Sequence, residues 1–217
     1  MNRGIQLFTY KNYCDESPLE KEILECGAGV FEPEMEPLFA RFARDGYKVH
    51  GIDIAEERLA NARVYCEKHG IHADLRPADL RELPFEDQRM PFVYAYNVIF
   101  HGRKADMRQM AGEMARVLMP GGLLFVNFLA LEDDGNGEGV MVGEGEFEQT
   151  HGGQTVIHSY LADSEAEAYF NGLEMVFKEK RILQRIKDGE WMRQAFIDLI
   201  LKKPKNVVLK QRQLNRH

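Results

Sequence analysis

Residues able to do chemistry concentrate at the ends of two short apolar runs. The first, Lys21–Cys26, passes into Gly27-Ala28-Gly29, with Glu25 two residues ahead of the first glycine. Glycine in such a turn lets the backbone bend sharply and approach a ligand where a Cβ would intrude. The second run, Tyr47–Asp53, ends in a carboxylate. Placed there, Asp53 can accept hydrogen bonds from both hydroxyls of a ribose, or it can cap the helix that follows. A glycine turn beside a strand-end acid describes a nucleoside site. The third glycine of a dinucleotide site would fall at Glu32, so a diphosphate lying on the helix N-terminus is disfavoured. Further along, His101, His151 and His158 have side chains that can titrate near neutral pH. No Cys/His cluster has metal-ligand spacing, and no metal is expected.

The elements that must position these residues alternate along the chain. Lys21–Cys26 and Tyr47–Asp53 have the apolar character of buried strands, as do His72–Pro77, Pro91–Asn97 and Leu123–Leu129. Between them the pattern predicts helices. One begins at Pro37 and is closed by Gly46; the others cover Glu56–His69 and Asp106–Leu118. Strands alternating with helices imply a parallel sheet with right-handed crossovers. After Leu129 the rhythm changes. Ser164–Phe170 predicts a short helix capped by Ser164, with Glu167 completing a capping box. Glu174–Lys187 and Glu190–Lys203 are two strand-like runs joined by Asp188-Gly189, a strong hairpin signal. The expected fold is therefore α/β: a doubly wound, mostly parallel seven-stranded sheet ending in an antiparallel hairpin, with helices on both faces. The expected boundaries are one domain over residues 1–203, with 1–20 as an N-terminal flap, and a basic tail over 204–217.

Composition narrows the classes of function. A net charge of −7 argues against a general nucleic-acid binder, although six of the residues between Lys202 and Arg216 are basic. The longest apolar runs fall short of the roughly 18 residues a membrane span needs, so no membrane is expected. Met1-Asn2-Arg3-Gly4 does not lead into an apolar signal core, and Cys14, Cys26 and Cys66 form an odd set. Free thiols in a cytoplasmic protein are the expectation. Residues 131–153 hold seven glycines and seven acids but no lysine or arginine, which suits either a mobile cover or a solvated loop. As a cover it would favour a cationic ligand.

The runs ILECGAG, GYKVHGIDIAEERLANAR, PADLRELPF, FVYAYNVIFH and MARVLMPGGLLFV, in this order over roughly residues 20–130, resemble the successive motifs of class I S-adenosylmethionine-dependent methyltransferases. The sequence departs from the family at Phe31, where a further glycine is usual, and its Val30–Glu36 segment is longer than the usual loop. The resemblance implies S-adenosyl-L-methionine as cofactor and a role for each matching residue. Glu25, Gly27, Ala28 and Gly29 would line its methionine end. Asp53 would hold the ribose, with Ile54 on the adenine. Asp79 would accept from the adenine amino group, with the backbone of Leu80 beside it. Asn97 and Val98 would face the methionyl portion, and Phe8, Tyr10 and Tyr13 would form the flap. His101, just beyond Asn97, is the candidate general base. The expected acceptor is a small molecule, a cationic one if the acidic segment closes over it. A cofactor-binding domain without turnover and an NAD-type oxidoreductase are the competing readings.

Overall fold

A computed structural model describes residues 5–151, 153–187 and 189–205. Its first helix, α1 (Ile5–Glu16), precedes β1 (Glu22–Cys26), α2 (Ala40–Arg44), β2 (Lys48–Asp53), α3 (Glu56–His69) and β3 (Ala73–Pro77). Then come β4 (Met90–Ala95), α4 (Lys104–Val117) and β5 (Leu118–Ala130). The remaining elements are β6 (Val140–Gly143), β7 (Glu146–His151), β8 (Gln154–Leu161), α5 (Asp163–Ala168), β9 (Glu174–Lys187) and β10 (Glu190–Lys202).

The main sheet runs β3-β2-β1-β4-β5, all parallel, and continues through β10, antiparallel to β5, to β9, antiparallel to β10. These are the seven strands the sequence predicts. The described residues add three more. β8 pairs with the end of β5 at Leu129↔Tyr160 and Ala130↔Leu161, and β7 and β6 follow in an antiparallel meander. Part of the glycine-rich acidic segment is thus built structure. Gly139, Gly145 and Gly153 adopt positive φ, and period-2 sequence lies between the turns, with Phe147 and Gln149 buried and Glu148 exposed.

Because side chains alternate across a strand, β1 and β4 each feed two cores. Ile23, Phe92 and Tyr94 pack with α1, α2 and α3, while Leu24, Val93 and Ala95 pack with the methionine stripe of α4. α3 has the bounds the sequence predicts, and Gly70 ends it in the left-handed region at φ 63°.

Three local expectations are corrected. The helix predicted from Pro37 is shortened to the five residues of α2, preceded by a turn in which the Ala40 N–H donates to Pro37 O at 3.1 Å. Helix α5 starts at Asp163 with Ala162 as N-cap and no side-chain cap, so Ser164 does not cap it. Lys178 and Lys180 hold the Asp163 carboxylate, which fixes the helix start ahead of Ser164. The buried side chains of α1 pack into the core, and its described side chains do not cover the site. Tyr10 is fully buried, its hydroxyl 2.9 Å from the carbonyls of both Val93 and Leu123, and among the described side chains of α1 none lines the cavity described below. Phe8 is exposed, and Tyr13 packs against the α1 side of the core. Asp188 and the tail beyond Lys205 lie outside the described residues. No described helix is long and apolar enough to cross a membrane, and no group of described side chains could hold a metal ion.

Candidate functional site

A cavity of about 960 Å³ opens at the C-terminal edge of the parallel strands. All ten cofactor-binding residues expected from sequence line it, and so does His101. This is where open α/β sheets place ligands, because the loops leaving the strands part on either side of the first strand.

The glycine turn is tied to the end of β2. Ile52 O accepts from both Gly27 N (2.7 Å) and Ala28 N (2.8 Å). Asp53 faces the turn: its Oδ2 accepts from Gly29 N at 3.0 Å and its Oδ1 from Ala55 N at 2.9 Å. The carboxylate therefore both braces the turn and helps start α3, and each oxygen keeps a further lone pair for a ligand. Neither glycine tolerates a side chain. A Cβ on Gly27, at φ 86°, would lie 2.3 Å from Val98 Cγ2, and one on Gly29 would lie 2.8 Å from Asp53 Oδ2. Beside Asp53, the Ile54 side chain is 72% exposed, an apolar surface suited to one face of a base.

Glu25 is buried at 3% exposure. It accepts hydrogen bonds from the Tyr94 hydroxyl and from the backbone of Phe39. Burial outweighs these bonds and pushes its carboxyl up to about 8, with nearby Asp53 adding to the rise. Glu25 is thus held between Tyr94 of β4 and the Phe39 backbone, in surroundings that favour its neutral form. Asp79 is held by its neighbour: Arg81 donates from its backbone N–H at 2.8 Å and from its guanidinium. Those hydrogen bonds hold the Asp79 carboxyl below its usual range. An adenine amino group would have to share this carboxylate with Arg81.

Asn97 sits just past β4 at φ 56°, in the left-handed region that asparagine tolerates better than most residues. It is locked there by Asn127, whose Oδ1 accepts from Asn97 N (2.7 Å) and whose Nδ2 donates to Asn97 Oδ1 (2.6 Å). The His101 loop is held from the other side by Ser159 of β8. Ser159 N donates to Phe100 O at 3.1 Å and its hydroxyl to Gly102 O at 2.6 Å. The rings of His101 and His158 lie 4.8 Å apart. Gln149 Nε2 donates to Gly135 O and Glu138 O, so its Oε1 is the acceptor facing His158 Nδ1 at 2.7 Å. A neutral His158 then carries its proton on Nδ1 and its lone pair on Nε2. His151 ends β7, and its side chain lies outside the described residues.

Sequence reasoning passed over the supporting residues Tyr94 and Asn127. Both carried a signal, since each is a polar side chain inside an otherwise apolar strand, where it must find a partner. Phe31, noted from sequence only as a missing glycine, has an exposed ring that lies under the Arg58 guanidinium at 4.3 Å. The long loop containing Phe31 is fastened to α3, with Asn61 Nδ2 donating to Phe31 O at 3.0 Å. No acid between 131 and 153 lines the cavity. Several are committed elsewhere: Glu132 to Lys180, Asp134 to Arg193, and Glu146 to Arg103 and Lys104.

A parallel sheet ending in an antiparallel hairpin, with a glycine turn facing a strand-end carboxylate, defines a Rossmann-like α/β fold with a candidate nucleoside site. Residues 24–122 match the family model described as a methyltransferase domain. Over 100 residues the chain is 33% identical to a ubiquinone biosynthesis O-methyltransferase of Methylobacterium sp., a match covering 46% of this chain and 36% of that one. Over 107 residues it is 39% identical to a demethylmenaquinone methyltransferase of Thermus thermophilus, covering 49% and 46%. The matched segment thus spans less than half the length of these relatives. Among solved structures, an S-adenosylmethionine-dependent methyltransferase of Methanosarcina mazei superposes with a TM-score of 0.72. That likeness covers 91% of this chain and 99% of that one at 20% identity, and it speaks to the fold alone. The resemblance to class I S-adenosylmethionine-dependent methyltransferases is thus matched over residues 24–122 by the methyltransferase-domain model, and the solved structure shares the fold.

Proposed function

We propose that this protein transfers the sulfonium methyl of S-adenosyl-L-methionine to an oxygen, nitrogen or sulfur nucleophile on a small molecule. The observation that carries the reading is Asp53 turned onto the Gly27–Gly29 bend at the mouth of the cavity, with exposed Ile54 beside it. The names of two relatives, a ubiquinone biosynthesis O-methyltransferase and a demethylmenaquinone methyltransferase, point to small organic acceptors.

In this reading Asp53 accepts the ribose hydroxyls and Ile54 covers one face of the adenine. Asp79 and the Leu80 backbone meet the adenine edge. Glu25, the glycine turn, Asn97 and Val98 border the methionine end, where a cationic amino group would favour the ionised form of Glu25. The bound cofactor supplies an activated methyl group, so the hard chemistry is already present. The protein has to hold the nucleophile in line at roughly 3–3.5 Å from the methyl carbon and to exclude water. Phe100, Met110 and Phe196 give the far part of the cavity apolar walls suited to that exclusion. His101 borders the same region and takes the acceptor's proton where the acceptor has one to lose.

Calorimetric titration with S-adenosylmethionine, S-adenosylhomocysteine and NAD is the direct test. Saturable binding of the first two and not of NAD is expected, followed by turnover in a library of small acceptors. Binding of NAD in place of the sulfonium cofactor would transfer the assignment to hydride chemistry.

A further inference from the structure

Two ribbons overhang the cavity beyond the end of β5. One is the distal part of the β9–β10 hairpin and the other is β8. Arg181, Leu183 and Arg185 alternate along β9 and all line the cavity, joined by Gln194 and Phe196 of β10. Their period of two puts the β9 residues on one face.

The two arginines differ in how their charge is met. Arg181 lies 4.5 Å over the Phe196 ring and pairs with the fully buried Asp198, Nε to Oδ2 at 3.1 Å. Its charge is spent within the wall. Arg185 donates from a terminal nitrogen to the neutral Gln194 Oε1. Its Nε is buried without a hydrogen-bond partner, and no carboxylate among the described residues forms an ion pair with it. The carboxylates lining the cavity are committed elsewhere: Asp53 to backbone amides, Asp79 and Asp106 to Arg81, Glu25 to the Tyr94 hydroxyl and Glu36 to Arg44. Arg58, the other lining cation without an ion pair, belongs to the glycine-turn end, where its Cβ lies 2.5 Å from the Cβ position of Gly29.

A guanidinium that lines a mostly apolar chamber, its charge met by no carboxylate among the described residues, calls for an oxyanion, which arginine binds through charge-assisted hydrogen bonds. We propose that Arg185 is a specificity-determining residue that binds a carboxylate on the methyl acceptor, so that the acceptor is a small, largely apolar organic acid. The inference rests on the methyltransferase reading for the word acceptor, but the anion site itself can be measured without it. It replaces the cationic acceptor expected from residues 131–153, since no acid of that segment faces the chamber.

The test uses the full chain and three carboxylates of increasing size, benzoate, cinnamate and 2-naphthoate, each beside its carboxamide and its amine analogue. Binding is read by ligand-observed NMR with and without S-adenosylhomocysteine. At least one carboxylate is expected to bind saturably, about tenfold or more tighter than its amide and amine, and together with S-adenosylhomocysteine. Arg185→Gln should abolish that preference, Arg185→Lys should retain part of it, and both should bind S-adenosylhomocysteine like the wild type, which also reports that they fold. No preference for any carboxylate, an undiminished preference in Arg185→Gln, or competition between carboxylate and S-adenosylhomocysteine would each overturn the inference. Failure of S-adenosylhomocysteine to bind while the carboxylate preference persists would remove the methyltransferase reading and leave the anion site standing.

Discussion

At the scale of single residues, the site depends on side chains that serve structure and ligand together. Asp53 braces Gly29 and Ala55 while facing the cavity. Hydrogen bonds to a charged group contribute about 1.5–3 kcal/mol each, so Asp53→Ala should weaken S-adenosylhomocysteine binding by about tenfold or more in calorimetry. Unchanged affinity would remove Asp53 from the ribose site. His101→Ala should lower kcat by about 10²-fold or more for an acceptor that must lose a proton, while cofactor affinity stays within about twofold. Wild-type turnover by that variant would take His101 out of the mechanism. Glu25 carries a pH signature. Its carboxyl titrates near 8 in the folded chain and near the ordinary 4.5 unfolded. Between those values the folded state keeps a proton that the unfolded state has released. Stability from this group is therefore lost as pH rises from 4.5 to 8, by about 1.4 kcal/mol per unit. Urea unfolding across that range should show the slope in the wild type and not in Glu25→Gln.

At the scale of elements, the strands are held at both ends, away from the site as well as beside it. Glu22 at the start of β1 gathers Arg89, Lys48 and His50 around one buried carboxylate. Hydrogen bonds from these groups outweigh the cost of burial and hold its carboxyl down at about 2. Here the sign is opposite to that of Glu25. The stabilisation is complete above 4.5 and is lost as pH falls from there to 2, up to ~3 kcal/mol in all. Glu22→Gln should unfold more readily at neutral pH and lose the acid limb of the stability curve, measured by denaturant titration from pH 2 to 7. At the other edge, the meander of β6, β7 and β8 clamps the His101 loop through Ser159. The segment that reads as a glycine-rich cover supplies β6 and β7, and β7 pairs with β8, the strand that clamps the loop of the candidate base.

At the scale of the whole molecule, the two cores meet across the parallel strands, and the cavity opens where those strands end. A ligand bound to the folded state alone must raise its stability by mass action. At one hundred times its Kd, S-adenosylhomocysteine should add about 2.7 kcal/mol, or roughly 5–10 °C in Tm for a chain of this size. A thermal scan in which saturating ligand leaves Tm unchanged would contradict binding at a folded site.

What the sequence determined by itself was local: the alternation of strands and helices, the glycine turn, the carboxylate ending β2 and the terminal hairpin. Each of these is written in contiguous residues, as periodicity, as glycines where φ turns positive, or as an acid at the end of an apolar run. The tertiary structure alone decided which distant side chains face one another. It set Tyr94 on Glu25, Asn127 on Asn97, His158 beside His101, and Arg185 in the cavity wall. The physical reason is that a period of two says which residues of a strand share a face, but not what that face meets. For β9 the answer came only from long-range pairing, which carried three alternating residues beyond the end of β5 and turned them toward the site.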